Sequence, residues 1–223
     1  ESVVVLKNKH QLLPLSLARS RVFVTGWAAR DAGMTMGGWT IDFQGREGPL
    51  PTRVVTVFDG LKAHAASVGH GDRVAFRDVR DCRGADVVIV VVGEPPYAEG
   101  AGDVYEMPSP KDLKLVRTAG SKLQIPVVLL VISGRPVDLE VAGFASAVVV
   151  AFLPGSEAGH GIADILFGKK SPTGKLSLDW PRAGHSLVRI APASSLLYRC
   201  GDGLTWETSA AEGEEAASGE KAK

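Results

Sequence analysis

Asp86-Val-Val-Ile-Val-Val-Val-Gly93-Glu94-Pro-Pro-Tyr-Ala-Glu99-Gly-Ala-Gly-Asp103 is the stretch that decides the fold. A continuous β-branched run such as Val87 to Val92 has no polar face, so it reads as a strand covered on both sides, as in a parallel α/β sheet. It breaks at Gly93 into a loop carrying Glu94, Glu99 and Asp103 among prolines and glycines. Open α/β sheets hold their ligands beyond the carboxyl ends of their strands, so carboxylates here invite a chemical role.

Working outward, strand and helix patterns alternate. Arg21 to Gly26, Arg73 to Phe76, Pro126 to Ile132 and Ala145 to Phe152 read as further apolar strands. Val57 to Val68, Asp112 to Lys122 and Gly159 to Phe167 carry apolar residues at helical spacing, and Asp138 to Gly143 reads as a short helical turn. Lys175 to Pro181 alternates apolar and polar residues, as a half-exposed strand or extended segment would. Four or five buried strands separated by helices predict an α/β fold with a doubly wound, mostly parallel sheet. One domain is expected over 1–207, with a disordered tail at 208–223, where Ala, Glu, Gly, Ser and Lys cannot repay their ordering entropy.

Composition excludes several classes. The 223 residues are 45% hydrophobic, enough for one sizeable core, and the 25 basic residues balance 25 acidic ones. That balance removes the electrostatic footprint of a nucleic-acid binder. The apolar runs fall well short of the roughly 20 residues of a membrane helix, so no membrane span is expected. Glu1-Ser-Val-Val-Val-Leu-Lys-Asn has none of the parts of a secretory signal, and the missing initiator Met points to a chain cut from something longer. Cys82 and Cys200 read as two unrelated thiols, and the scattered histidines His10, His64, His70 and His185 form no metal-binding spacing. No cofactor and no metal are expected.

Three candidates for chemistry stand out. Glu94, Glu99 and Asp103 could supply a carboxylic acid of the kind that glycosidic cleavage uses against a second carboxylate, roughly 5 to 10 Å away. Solvated loop acids are the plain alternative. Trp39, after Gly37 and Gly38, is either a core indole or a platform for a sugar ring, whereas Trp27, Trp180 and Trp206 read as packing. Pro154-Gly-Ser-Glu-Ala-Gly-His-Gly161 opens a helix but matches neither the phosphate-binding patterns nor Gly-x-Ser-x-Gly, so it reads as a structural turn. A flavodoxin-like nucleotide binder is disfavoured for the same reason.

Six ordered segments then carry a family resemblance: Glu1 to Asn8, Gly37-Gly-Trp39-Thr40, Val92 to Glu99, Ile132-Ser-Gly-Arg135-Pro-Val137, Leu153 to Gly159, and Ala163 to Gly168 followed by Pro172 to Ser177. Together they resemble the C-terminal domain of glycoside hydrolase family 3, and within it the plant β-glucan exohydrolases and β-glucosidases. The resemblance implies an (α/β)6-sandwich that works beside an N-terminal barrel domain, with the barrel supplying the aspartate nucleophile. It implies that Glu99 is the catalytic acid/base, that Trp39 forms one side of an aromatic clamp, and that Glu94 belongs to the substrate-binding set. A β-glucan or β-glucoside oligosaccharide is the implied partner, and secretion to the cell wall the implied location. Gly100 stands where the plant pattern has Thr, and Val104 to Met107 replace a leucine-rich segment. Nothing in the chain resembles the barrel, so little or no hydrolysis is expected of it alone. A catalytically silent carbohydrate-binding or interaction module on the same fold is the alternative.

Overall fold

The Val-rich run forms strand β4 (Val87–Gly93), every residue of which is buried. In the computed structural model, which describes residues 2–185 and 192–207, β4 lies inside a six-stranded sheet. The other strands are β1 (Val4–Asn8), β2 (Val22–Thr25), β3 (Val74–Phe76), β5 (Val127–Ile132) and β6 (Ala147–Phe152). Their spatial order is β1-β6-β5-β4-β2-β3. β2 to β6 run parallel, and β1 closes the β6 edge antiparallel. The expected doubly wound, mostly parallel sheet is the fold of this chain.

Because side chains alternate across a strand, the run that looked uniform in sequence feeds two cores. Val87, Ile89 and Val91 join Val22, Val24, Leu61 and Ile162 on one face. Val88, Val90 and Val92 join Val116, Leu129, Val148 and Trp180 on the other. The first face is covered by helices α2 (Val57–Ser67) and α4 (Ala158–Leu166), the second by the short α3 (Leu113–Arg117) and the wider turn that continues it, Thr118–Lys122. α2 and α4 approach so closely that a Cβ on Gly60 would overlap the backbone of Gly159, and one on Gly159 would overlap the carbonyl oxygen of Thr56. Gly159 of the Pro154–Gly161 stretch therefore serves helix packing.

Two elements differ from the sequence reading. β1 was not expected as a strand: it is a five-residue edge strand whose pairing partner, β6, lies about 140 residues away, so no local pattern announces it. Within Lys175 to Pro181 only Trp180–Pro181 forms ladder structure (β7), pairing with β8 (Leu196–Tyr198). Trp180 is fully buried and its indole N–H donates to the Val137 carbonyl at 2.9 Å. The tail expected at 208–223 lies outside the described residues.

The strand order has a consequence for function. From β2 the chain winds outward to β3, then crosses back to β4 and winds the other way through β5 and β6. The connections that follow β2 and β4 therefore carry α2 and α3 to opposite faces of the sheet, and the carboxyl ends of these two strands mark the place where open α/β sheets bind ligands.

Candidate functional site

Trp39 and Glu99 lie on those two connections. After β2 and the short α1 (Ala32–Met36), Gly37 and Gly38 lead into Trp39, which holds a left-handed backbone at φ 59°. Such a conformation is costly for a bulky side chain and persists only where neighbours impose it. Here the Trp39 N–H donates to the Phe43 carbonyl at 2.9 Å, and the Phe43 ring stands edge-on to the indole with centroids 4.7 Å apart. Trp39 is 70% exposed. The indole is therefore not part of the core, which removes one of its two sequence readings.

The Glu99 loop leaves β4 and is anchored from below by Glu94. That carboxylate is only 6% exposed. It accepts from the Gly134 N–H and from Arg135 Nε, each at 3.1 Å, and from the Tyr97 hydroxyl. Burial raises the Glu94 pKa above the ordinary range, against the opposing pull of the Arg135 charge and the Gly134 and Tyr97 hydrogen bonds. Burial, together with the Glu94 charge, pushes the Tyr97 phenol up to about 12. Arg135 completes the anchor: its guanidinium lies 3.9 Å from the Tyr97 ring centroid and Nη1 donates to the Gly102 carbonyl at 2.6 Å.

Above this anchor the chain turns outward. The Gly100 N–H donates to Asp103 Oδ2 at 3.1 Å and the Gly102 N–H to the Ala98 carbonyl at 2.7 Å, closing a tight turn with Gly100 at φ 84°. Glu99 sits on its exposed side, and among the described residues no group donates to its carboxylate. The three loop acids thus divide. Glu94 is buried and engaged, Asp103 caps its own turn, and Glu99 is presented to solvent.

The two loops touch directly. A Cβ on Gly38 would overlap the Tyr97 carbonyl, and one on Gly45 would come within 2.8 Å of Pro96 Cβ. Gln44 bridges the seam, accepting from the Ala98 N–H at 2.8 Å and donating to the Glu99 carbonyl at 2.9 Å. The structure therefore brings the Trp39 and Glu99 segments together and sets Glu94 beneath them. Gln44 and Arg135 were missed as site residues, although both lie in segments with an evident signal: Gln44-Gly45 closes the glycine-flanked Trp39 loop, and Arg135 sits in Ser-Gly-Arg-Pro at the end of β5. Trp27 and Trp206 pack against the core as expected, with Lys111 Nζ 3.7 Å above the Trp27 ring.

The model of the glycosyl hydrolase family 3 C-terminal domain matches residues 3–206. The chain belongs to glycosyl hydrolase family 3. A lysosomal beta glucosidase of Dictyostelium discoideum is similar to this family 3 domain, 31% identical over 93% of the chain and 28% of that protein. A periplasmic beta-glucosidase of Salmonella typhimurium is 28% identical over 82% of the chain. The crystal structure of an exo-1,3/1,4-beta-glucanase from a Pseudoalteromonas species matches with a TM-score of 0.79 and 32% identity, covering 92% of this chain and 27% of that one. The family 3 domain thus spans little more than a quarter of the length of these relatives.

Proposed function

We propose that this family 3 domain supplies half of the active centre of a retaining, exo-acting β-glucosidase or β-glucan exohydrolase. Glu99 is its general acid/base, Trp39 is a wall for the sugar being released, and a barrel domain, in cis or in trans, brings the nucleophile. The observation that carries this is the pairing of an exposed carboxylate that no group among the described residues engages with an exposed indole on the loop beside it, at the switch point of the sheet.

The chemistry follows in two steps. Glu99 protonates the glycosidic oxygen while a barrel carboxylate attacks the anomeric carbon, so the leaving group departs neutral. Glu99, now ionised, takes a proton from the water that releases the glucosyl intermediate. Trp39 offers its apolar face to a pyranose ring, which binds through C–H contacts and leaves its hydroxyls to water. Glu94 was expected among substrate-binding residues. Its carboxylate is already taken by Gly134, Arg135 and Tyr97, which supports a part in holding the loop under the sugar.

With its nucleophile elsewhere, the chain alone is inert toward β-glucosides. The test is to combine it with a family 3 barrel domain and assay an aryl β-glucoside. Hydrolysis that needs both parts and falls about a hundredfold or more in Glu99→Gln supports the proposal. Hydrolysis indifferent to Glu99→Gln overturns it. Binding of laminari-oligosaccharides that is lost in Trp39→Ala, with no turnover in any combination, would instead identify a silent carbohydrate-binding module.

A further inference from the structure

We infer that Gln44 is a positioning residue for the proton donor, coupling the segment that holds the departing sugar to the one that protonates it. This rests on the role proposed above for Glu99. The Glu99 carboxylate is free of protein partners among the described residues, so the protein holds Glu99 through its backbone. On one flank that backbone is held by Arg135 on the Gly102 carbonyl and by Asp103 on the Gly100 N–H. On the other flank, the polar side-chain contact is the Gln44 carboxamide, which takes the Ala98 N–H and the Glu99 carbonyl at once.

A primary amide suits this place because it carries an acceptor and a donor on one rigid plane. It therefore clamps the N–H of the Tyr97–Ala98 peptide and the carbonyl of the Glu99–Gly100 peptide together, and so restrains the backbone of Ala98 and Glu99 between them. Close approach of Gly38 to Tyr97 and of Gly45 to Pro96 brings the Gln44 segment near enough to do so. Four residues, Thr40 to Phe43, separate Trp39 from Gln44, and the Trp39 N–H bond to Phe43 braces that interval. A sugar pressing on the Trp39 indole thus bears on the segment that aims Glu99. Misplacing a catalytic group by about 1 Å can cost about a hundredfold in rate, so the bridge acts on acid catalysis while touching no substrate.

Two measurements test this. In the chain itself, Gln44→Met keeps side-chain length and removes both hydrogen bonds. Amide hydrogen exchange at Ala98 should then quicken about tenfold or more while the amides of Val88 to Val92 keep their protection. Unchanged exchange at Ala98 overturns the inference. Should Gln44→Met lose the fold, Gln44→Glu keeps the acceptor alone, and the inference then requires Ala98 to stay protected.

With a barrel domain present, the second readout is leaving-group dependence. A poor leaving group such as methanol needs the proton, whereas 2,4-dinitrophenolate does not. Gln44→Met should lower kcat/KM for the methyl β-glucoside about tenfold to a hundredfold and for the dinitrophenyl β-glucoside less than about threefold. Glu99→Gln on the same two substrates is the reference. If Glu99→Gln shows no leaving-group dependence, the role of Glu99 fails. If Glu99→Gln shows it and Gln44→Met slows both substrates equally, only the positioning role of Gln44 fails.

Discussion

Replacing Arg135 with Met should unsettle this domain more than any surface change, and by an amount that depends on pH. The Arg135 and Glu94 side chains are 16% and 6% exposed, so their 3.1 Å contact is a nearly buried ion pair. Removing one member strands the other, which costs about 3–5 kcal/mol at neutral pH. For a domain of this size each kcal/mol is worth about 2–4 °C, so the midpoint of thermal unfolding should drop by about 10 °C. Met keeps the apolar stem over Tyr97, confining the loss to the charge, its hydrogen bonds and its contact with the ring.

The sign of the pH effect follows from Glu94. Its folded-state pKa is already raised by burial, and loss of Arg135 raises it further. A carboxyl with a raised folded pKa contributes stability below its unfolded value, about 4.3, and loses it as pH climbs through the folded value. The deficit of Arg135→Met should therefore be greatest at pH 7 to 8 and smaller at pH 5, because a falling pH favours the protonated form of Glu94. Adding Glu94→Gln should restore part of the loss at pH 7. Urea denaturation at both pH values measures this. A deficit under about 1 kcal/mol at pH 7, or one equally large at pH 5, would refute the reasoning.

Other outcomes can be checked with the same protein. Gly38→Ala drives a methyl into the Tyr97 carbonyl and should cost about 1–3 kcal/mol, read from the urea midpoint, with a shift in the Trp39 emission as the loops part. Trp180→Phe leaves the Val137 carbonyl unpaired inside the core and should cost a similar 1–3 kcal/mol or so. Burial pushes the Cys82 thiol up to about 11, while Cys200 is exposed. A thiol reagent at pH 8 should therefore titrate one cysteine in the native protein and two after denaturation.

The sheet was legible because its strands are buried on both faces, and such strands write themselves as unbroken Val and Ile runs. Val87 to Val92, Val127 to Ile132 and Ala147 to Phe152 all did so. β1 was missed for the converse reason, since an edge strand is defined by its distant partner and not by its own five residues. In the proposed site, residue type and loop context singled out the loop after β4 but did not rank Glu94 against Glu99. Burial distinguishes them, and burial of Glu94 comes from Gly134 and Arg135, some 40 residues away in sequence. Trp39 was ambiguous on similar grounds: its exposure is enforced by a left-handed backbone that no propensity scale encodes. Gln44 was passed over because its one sequence signal is its place at the end of the Trp39 loop, and its part emerges when the strand order sets that loop against the one carrying Glu99.

Glu99 is proposed as the group that gives and takes the proton. Azide rescue of Glu99→Ala, in the presence of a barrel domain and with dinitrophenyl β-glucoside as substrate, tests this most directly. Without its base the glucosyl intermediate should accumulate, and azide, which needs no deprotonation, should raise turnover about tenfold or more and yield the β-glucosyl azide. Turnover that ignores azide, with glucose released at the wild-type rate, would contradict the account.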